Sequence, residues 1–368
     1  MAGSWLAVIL AVAGVALVWF GRGGRSVAVY AGLTLLGAAA ARMVVWESYP
    51  DVLGGAMAPL WLRAVGYSAV IGGFVGAGST ARTGRVRWAL CLCAWLVGLW
   101  WITFEATHAI EAGRGQGHLA GNEAMLVAGG WGLYGLLLAA LERRFRHENL
   151  RHMARLTLGA ALICLTLWAL PSTARWAYGQ FRAFGYTAVL GAAWVAEALW
   201  RRHGEDREVE GIVAMAAGGA TGMVAAFESR LWLDVHLFMF EQGAVRSAES
   251  LAGEASVRAY ATAGAWGLCA VAVAAVGFLL LSPRTRLVAA GMFGVALAYT
   301  ASAALAPGAP LALQLAALAV VTGGALRLSW LARRASGCRH PWEDRAYRWL
   351  PWAAAGVAAL WGAMKLTA

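Results

Sequence analysis

Residues 124–170 read AMLVAGGWGLYGLLLAALERRFRHENLRHMARLTLGAALICLTLWAL. An uncharged run, 124–141, is followed by a turn holding Arg143, Arg144, Arg146 and Arg151. A second apolar run, 153–170, carries Arg155 as its one charge. A helix needs about 20 apolar residues to cross the hydrocarbon core of a bilayer. Lipid offers no partners to backbone N–H and C=O groups, so such runs must be helical. The stretch reads as a transmembrane helical hairpin with a basic turn.

Similar runs fill the chain. Candidate spans are 4–20, 27–45, 62–79, 88–104, 124–141, 153–170, 183–200, 210–227, 259–281, 286–305, 310–331 and 350–367. The expected fold is an all-α polytopic transmembrane bundle of about twelve helices. Composition agrees, with 61% hydrophobic and 13% charged residues. Soluble domains have about 45–50% and about 25%. The 20 tryptophans suit bilayer interfaces. Residues 1–20 are apolar with no basic residue ahead of them, so they are expected to form the first span rather than a cleaved signal peptide.

The formal charge is +11, and every basic residue except Lys365 is an arginine. A strongly basic chain usually raises nucleic-acid binding. Here the arginines sit in short loops between apolar runs, which is a topology signal, so no nucleic-acid partner is expected. Cys91, Cys93, Cys164 and Cys269 lie inside apolar runs, and with Cys338 they form no CxxC or CxxCH pattern. They read as small apolar helix residues.

The spans repeat. Trp5, Trp131 and Trp266 are each followed twenty residues later by an arginine: Arg25, Arg151 and Arg286. Pro50, Pro171 and Pro307 close these hairpins. A second hairpin follows, in which Gly66-Tyr67-Ser68-Ala69-Val70-Ile71-Gly72 matches Gly185-Tyr186-Thr187-Ala188-Val189-Leu190-Gly191. Both copies end in Phe-Glu, at Phe104-Glu105 and Phe227-Glu228. The third copy, 310–367, keeps only a two-helix outline. The chain is therefore expected to hold three tandem four-helix units: 1–123, 124–258 and 259–368.

Loops inside the hairpins hold twenty basic residues, while those between hairpins, with the C-terminal tail, hold eight. Positive loops stay in the cytoplasm. The expected location is a bacterial plasma (inner) membrane, with both termini outside. The longest outer loops are then 105–123 and 228–258. The second contains Leu231-Trp232-Leu233 and Leu237-Phe238-Met239-Phe240, an apolar pattern for a helix lying in the interface.

Charged residues are sparse within the spans. Arg42, Glu197 and Arg327 each lie near a span end and are expected to snorkel to the interface. No histidine lies in a span centre, so haem ligation has no support. The candidate binding residues are on the outer loops: Glu105, His108 and Glu111 in the first, Glu228, Asp234 and His236 in the second. If the preceding helix continues, Glu105, His108 and Glu111 fall near one face. Carboxylate and imidazole together suit a divalent cation or acid–base work on a lipid-linked substrate. They suit a plain solvated loop as well. No catalytic residue, metal-ligand set or cofactor is assigned. Gly218 and Gly222 permit close helix contact, within the bundle or against a partner.

Trp131-Gly132-Leu133-Tyr134, Leu150-Arg151 and the stretch from Phe104-Glu105 to His108 resemble the bacterial predicted membrane proteins called domain of unknown function 2339. The resemblance covers most of the chain and implies a many-helix membrane fold with no assigned activity. An acidic residue often follows the second helix of that family's repeat; here Glu47 and Asp51 stand near such a position in the first unit only.

The reading that fits these features best is a non-enzymatic membrane-embedded subunit or scaffold of a cell-envelope complex. Its partners would be membrane lipids and a protein docked at the outer face or within the membrane. A transporter or flippase for a lipid or envelope precursor is the alternative. An envelope enzyme using outer carboxylates is the third. The topology has a direct test. A phosphatase reporter that works only outside the cytoplasm is expected to be active when fused after Ala368 and inactive when fused after Arg144; the opposite pattern inverts the orientation.

Overall fold

The computed structural model describes residues 2–21, 26–46, 59–81, 84–112, 119–145, 148–170, 179–201, 207–233, 248–279, 282–304, 308–334 and 341–367. They form twelve helices: α1 (Ala2–Phe20), α2 (Ser26–Ala41), α3 (Leu60–Thr80), α4 (Gly84–Ala112), α5 (Leu119–Phe145), α6 (Glu148–Ile163), α7 (Gly179–Arg201), α8 (Arg207–Leu233), α9 (Ala248–Leu279), α10 (Pro283–Ala304), α11 (Leu311–Arg334) and α12 (Pro341–Thr367). No strand occurs among the described residues, and the all-α expectation holds. Helices α2 and α6 each run into a wider π-helical turn, Arg42–Trp46 and Cys164–Ala169.

Nine segments among the described residues are long and apolar enough to cross a bilayer, from Val27–Val45 to Leu311–Arg334. Large apolar side chains are exposed on them; Leu167 is 72% exposed and Leu326 59%. Large contiguous apolar surfaces are rare on soluble monomers, whereas lipid tails match them. The chain is a multi-pass integral membrane protein.

Two compact units emerge. The first is Met1–Leu119 with Leu133–Thr157, the second Ala120–Gly132 with Leu158–Ala368. In the first, α1 packs on α2 and α3, and α3 packs on α4. Leu36, Met43, Tyr67 and Val70 are fully buried at its core. The α1–α2 contact is backbone to backbone. A Cβ on Gly14 would stand 2.8 Å from the Gly32 carbonyl oxygen, and one on Gly32 would stand 2.6 Å from that of Gly14.

In the second unit, α9 packs on α8, α10 and α11, while α12 closes against α10 and α11. Its core holds Phe293, Val321 and Leu328. Gly218 and Gly222 face inward here. A Cβ on Gly218 would meet Val288 of α10, and one on Gly222 would collide with the Trp266 ring of α9.

Three expectations need correction. The loops expected at 105–123 and 228–258 are shorter than those bounds, because α4 continues to Ala112, α8 to Leu233 and α9 starts at Ala248. Leu231-Trp232-Leu233 therefore ends α8, while Asp234 to Phe240 lie outside the described residues. Likewise, α12 begins at Pro341, nine residues ahead of its apolar span. The physical reason is common to both. Helical hydrogen bonds do not stop at the hydrocarbon boundary, and α4, with 29 residues, is about 43 Å long at about 1.5 Å per residue. The third correction is Glu197, which is fully buried instead of snorkelling. Its position near the end of α7 gave its depth, but burial depends on the side of the helix it occupies.

Substituting Gly222→Leu is expected to force the Trp266 ring out of its seat, at a cost of about 1–3 kcal/mol. Gly219→Leu, at a position open for at least 4 Å, is expected to be neutral. Thermal unfolding of both variants in detergent checks this, and equal melting temperatures would refute it.

Candidate functional site

Helix α3 starts just after Pro59, whose carbonyl accepts from the backbone N–H of Leu62 (3.0 Å) and of Arg63 (3.1 Å). A proline needs no N–H partner at a helix start. This start makes Arg63 the fourth residue of α3 and places it against the far end of α4. Arg63 is 4% exposed. Its Nε donates to Glu105 Oε1 at 2.9 Å, and its terminal nitrogen donates to Oε2 at 2.6 Å. Trp101 Nε1, one turn back on α4, donates to Oε1 at 3.2 Å. The pair is a forked, charge-assisted clasp between two antiparallel helices.

An aromatic wall surrounds it. Arg63 lies 5.6 Å from the centre of the Phe104 ring. Phe104 stacks on His108 at 6.0 Å, and Trp101 stacks on Tyr67 at 5.5 Å. The Tyr67 hydroxyl donates to the Met43 carbonyl at 3.2 Å, inside the π-helical turn after α2. Such turns break the regular ladder, and here a side chain from α3 meets one of its carbonyls.

The second unit has a counterpart. Arg182 is the fourth residue of α7. Its Nε lies 3.3 Å from Glu228 Oε1, and the Tyr186 hydroxyl donates to the same oxygen at 2.7 Å. This clasp is more open, with the Glu228 side chain 36% exposed against 20% for Glu105. Two residues beyond Glu228, Arg230 reaches Thr262 Oγ1 of α9 and the Tyr299 hydroxyl of α10, both at 3.2 Å.

A third hairpin repeats the geometry without charge. The Pro310 carbonyl accepts from Leu313 and Gln314, as Pro59 does in α3. Gln314, fourth in α11, is 3% exposed. Its amide donates to the Ala309 carbonyl at 2.6 Å, and its Oε1 accepts from Trp361 Nε1 of α12 at 2.8 Å.

Of the six residues singled out by sequence, Glu105 and His108 lie on α4 and Glu228 on α8. Glu111 is also on α4, though its side chain is outside the described set, as are Asp234 and His236 altogether. Among the described residues, no group of three or more His, Cys, Asp or Glu side chains is placed to hold a metal ion. The Glu105 oxygens receive three donors from Arg63 and Trp101, which leaves the carboxylate little capacity to act as a base or a ligand.

Arg63, Arg182 and Gln314 were invisible as site residues when counted as loop charges or neutral span residues. A signal for them exists. Arg63-Ala64-Val65-Gly66-Tyr67 and Arg182-Ala183-Phe184-Gly185-Tyr186 share one spacing, and Pro59-Leu60-Trp61-Leu62-Arg63 parallels Pro310-Leu311-Ala312-Leu313-Gln314. Comparison with family models, curated proteins and solved structures finds no match to this chain.

Removing one partner of a buried ion pair strands the other, at about 3–5 kcal/mol. Arg63→Ala is expected to lose about that much, and Arg63→Met with Glu105→Leu to recover most of it. Arg182→Ala is expected to cost about 1 kcal/mol, because its pair is more exposed than that of Arg63. A double-mutant cycle on unfolding in detergent reads these values; additive single effects at 63 and 105 would remove the clasp.

Proposed function

We propose that this chain is a non-enzymatic, membrane-embedded subunit that scaffolds a cell-envelope complex in a bacterial plasma membrane. One observation carries the reading: the carboxylate best placed for chemistry, Glu105, has both oxygens committed to Arg63. A catalytic or cation-binding carboxylate needs a free oxygen aimed at its substrate. A clasped one holds two helices in a fixed register and presents their ends as a rigid surface. The three clasps also support reading the chain as tandem units 1–123, 124–258 and 259–368. The resemblance to domain of unknown function 2339 fits a many-helix fold of this kind.

Purification from native membranes in a mild detergent is expected to bring down a second protein in stoichiometric amount. Glu105→Gln and Glu228→Gln are expected to retain that partner and the cellular phenotype if both fold. Isolation of this chain alone from gently solubilised membranes would sink the scaffold reading, and loss of phenotype with the partner still bound would favour an enzyme.

The buried Glu197 favours a second reading, a lipid transporter or flippase. Ionisable groups inside a membrane commonly mark a path for a substrate or ion. Under that reading, vesicles containing the protein move a fluorescent phospholipid between leaflets, and Glu197→Gln slows the movement at least about tenfold, equivalent to about 1.4 kcal/mol of barrier. Movement no faster than in protein-free vesicles removes it.

A further inference from the structure

Between α11 and α12 lies a groove of about 690 Å³, lined by Gly323, Leu326, Arg327, Ser329, Trp330, Arg333 and Pro351. Ligand pockets commonly measure about 300–1,000 Å³. Its wall is mainly apolar, and its basic residues gather toward the end of α11. Arg327 lies 4.4 Å from the centre of the Trp330 ring, and Arg334 lies 3.9 Å from it. One indole thus holds two guanidinium groups, one turn before and one turn after it on the same stripe of helix. Arg327, Arg333 and Arg334 are all exposed. Among the residues whose side chains the structure describes, no carboxylate pairs with any of the three.

Like charges gathered on one face repel, and the ring's attraction for each cation is worth only about 0.5–1 kcal/mol at an exposed site. The arrangement therefore calls for an anion. Two further features say which kind. Trp349 and Trp352 flank Pro351 on α12 and are 71% and 73% exposed. Exposed indoles beside arginines are the side chains that sit at headgroup level in a bilayer. The groove also runs along Gly323 and Leu326, an apolar track suited to an acyl chain. Guanidinium groups match phosphate oxygens in a forked geometry. Basic pockets between transmembrane helices take anionic lipid heads.

We propose that this groove binds an anionic phospholipid, with its phosphate on Arg327, Arg333 and Arg334 and an acyl chain against Gly323 and Leu326. Binding does not depend on whether the protein scaffolds or transports. It adds a lipid-specific contact to the apolar side chains that the helices expose.

Native mass spectrometry of the full-length protein, titrated in detergent with phosphatidylglycerol or phosphatidylcholine, tests this. The wild type is expected to hold one phosphatidylglycerol at least about tenfold more tightly than phosphatidylcholine. Arg327→Gln with Arg334→Gln is expected to abolish that preference. Gly323→Leu keeps every charge and fills a position with no neighbour within 4 Å; it is expected to weaken phosphatidylglycerol at least about fivefold while the protein stays folded. Arg143→Gln with Arg144→Gln removes the same charge from the end of α5 and is expected to leave binding unchanged. Equal retention of the two lipids by the wild type overturns the proposal. So does a loss in the α5 variant equal to that in the α11 variant. Full displacement by millimolar inorganic phosphate, or binding unaffected by Gly323→Leu, would show a simple anion site and overturn the assignment to a lipid.

Discussion

A bilayer gives a polypeptide nothing to hydrogen-bond with, and this constraint shapes every level of the molecule. Each backbone N–H and C=O within the core must be satisfied inside its own helix. Where the ladder is interrupted, a partner is supplied from a neighbour, as when the Tyr67 hydroxyl donates to the Met43 carbonyl in the π-helical turn after α2. The same constraint removes most of the hydrophobic drive for helices to associate, since lipid tails are as apolar as leucine. Association then depends on close packing and polar contacts. The Gly14–Gly32 backbone contact provides the first, and the clasps of Arg63, Arg182 and Gln314 provide the second.

The clasps form a series of decreasing charge. Arg63 and Glu105 make a nearly buried forked pair, Arg182 and Glu228 a looser one reinforced by Tyr186, and Gln314 with Trp361 a neutral bond. All three join the fourth residue of one helix to the far part of the next. The chemistry varies while the geometry persists, which indicates that joining the helices matters more than the charge used. It also explains why carboxylates that look available in the sequence are poor candidates for catalysis once folded.

The helices were legible because an apolar run long enough to span a bilayer has few other uses. Their ends were not, because Glu105 to Glu111 and Pro341 to Trp349 are polar enough to read as loop yet remain helical. Glu105 and Glu228 were found through the repeated Phe-Glu words. Their partners were missed, although Arg63 and Arg182 keep the spacing of Tyr67 and Tyr186, because basic residues in a membrane protein are first read as orientation signals. Glu197 was misjudged for a different reason. A linear sequence gives its distance from the end of α7 but not which side of the helix meets protein.

The separation of 42 positions between Arg63 and Glu105 has a consequence for how the protein is made. When α3 leaves the ribosome it carries a cation whose counterion has not yet been synthesised. Arg63 can settle beside the hydrocarbon only after α4 has been delivered in full, because Glu105 stands near its end. Biogenesis should then proceed by hairpins instead of single helices, with α3 waiting at the insertion machinery until its companion arrives. The clasp would act in assembly before it contributes to stability, as a check that both halves of the hairpin have crossed.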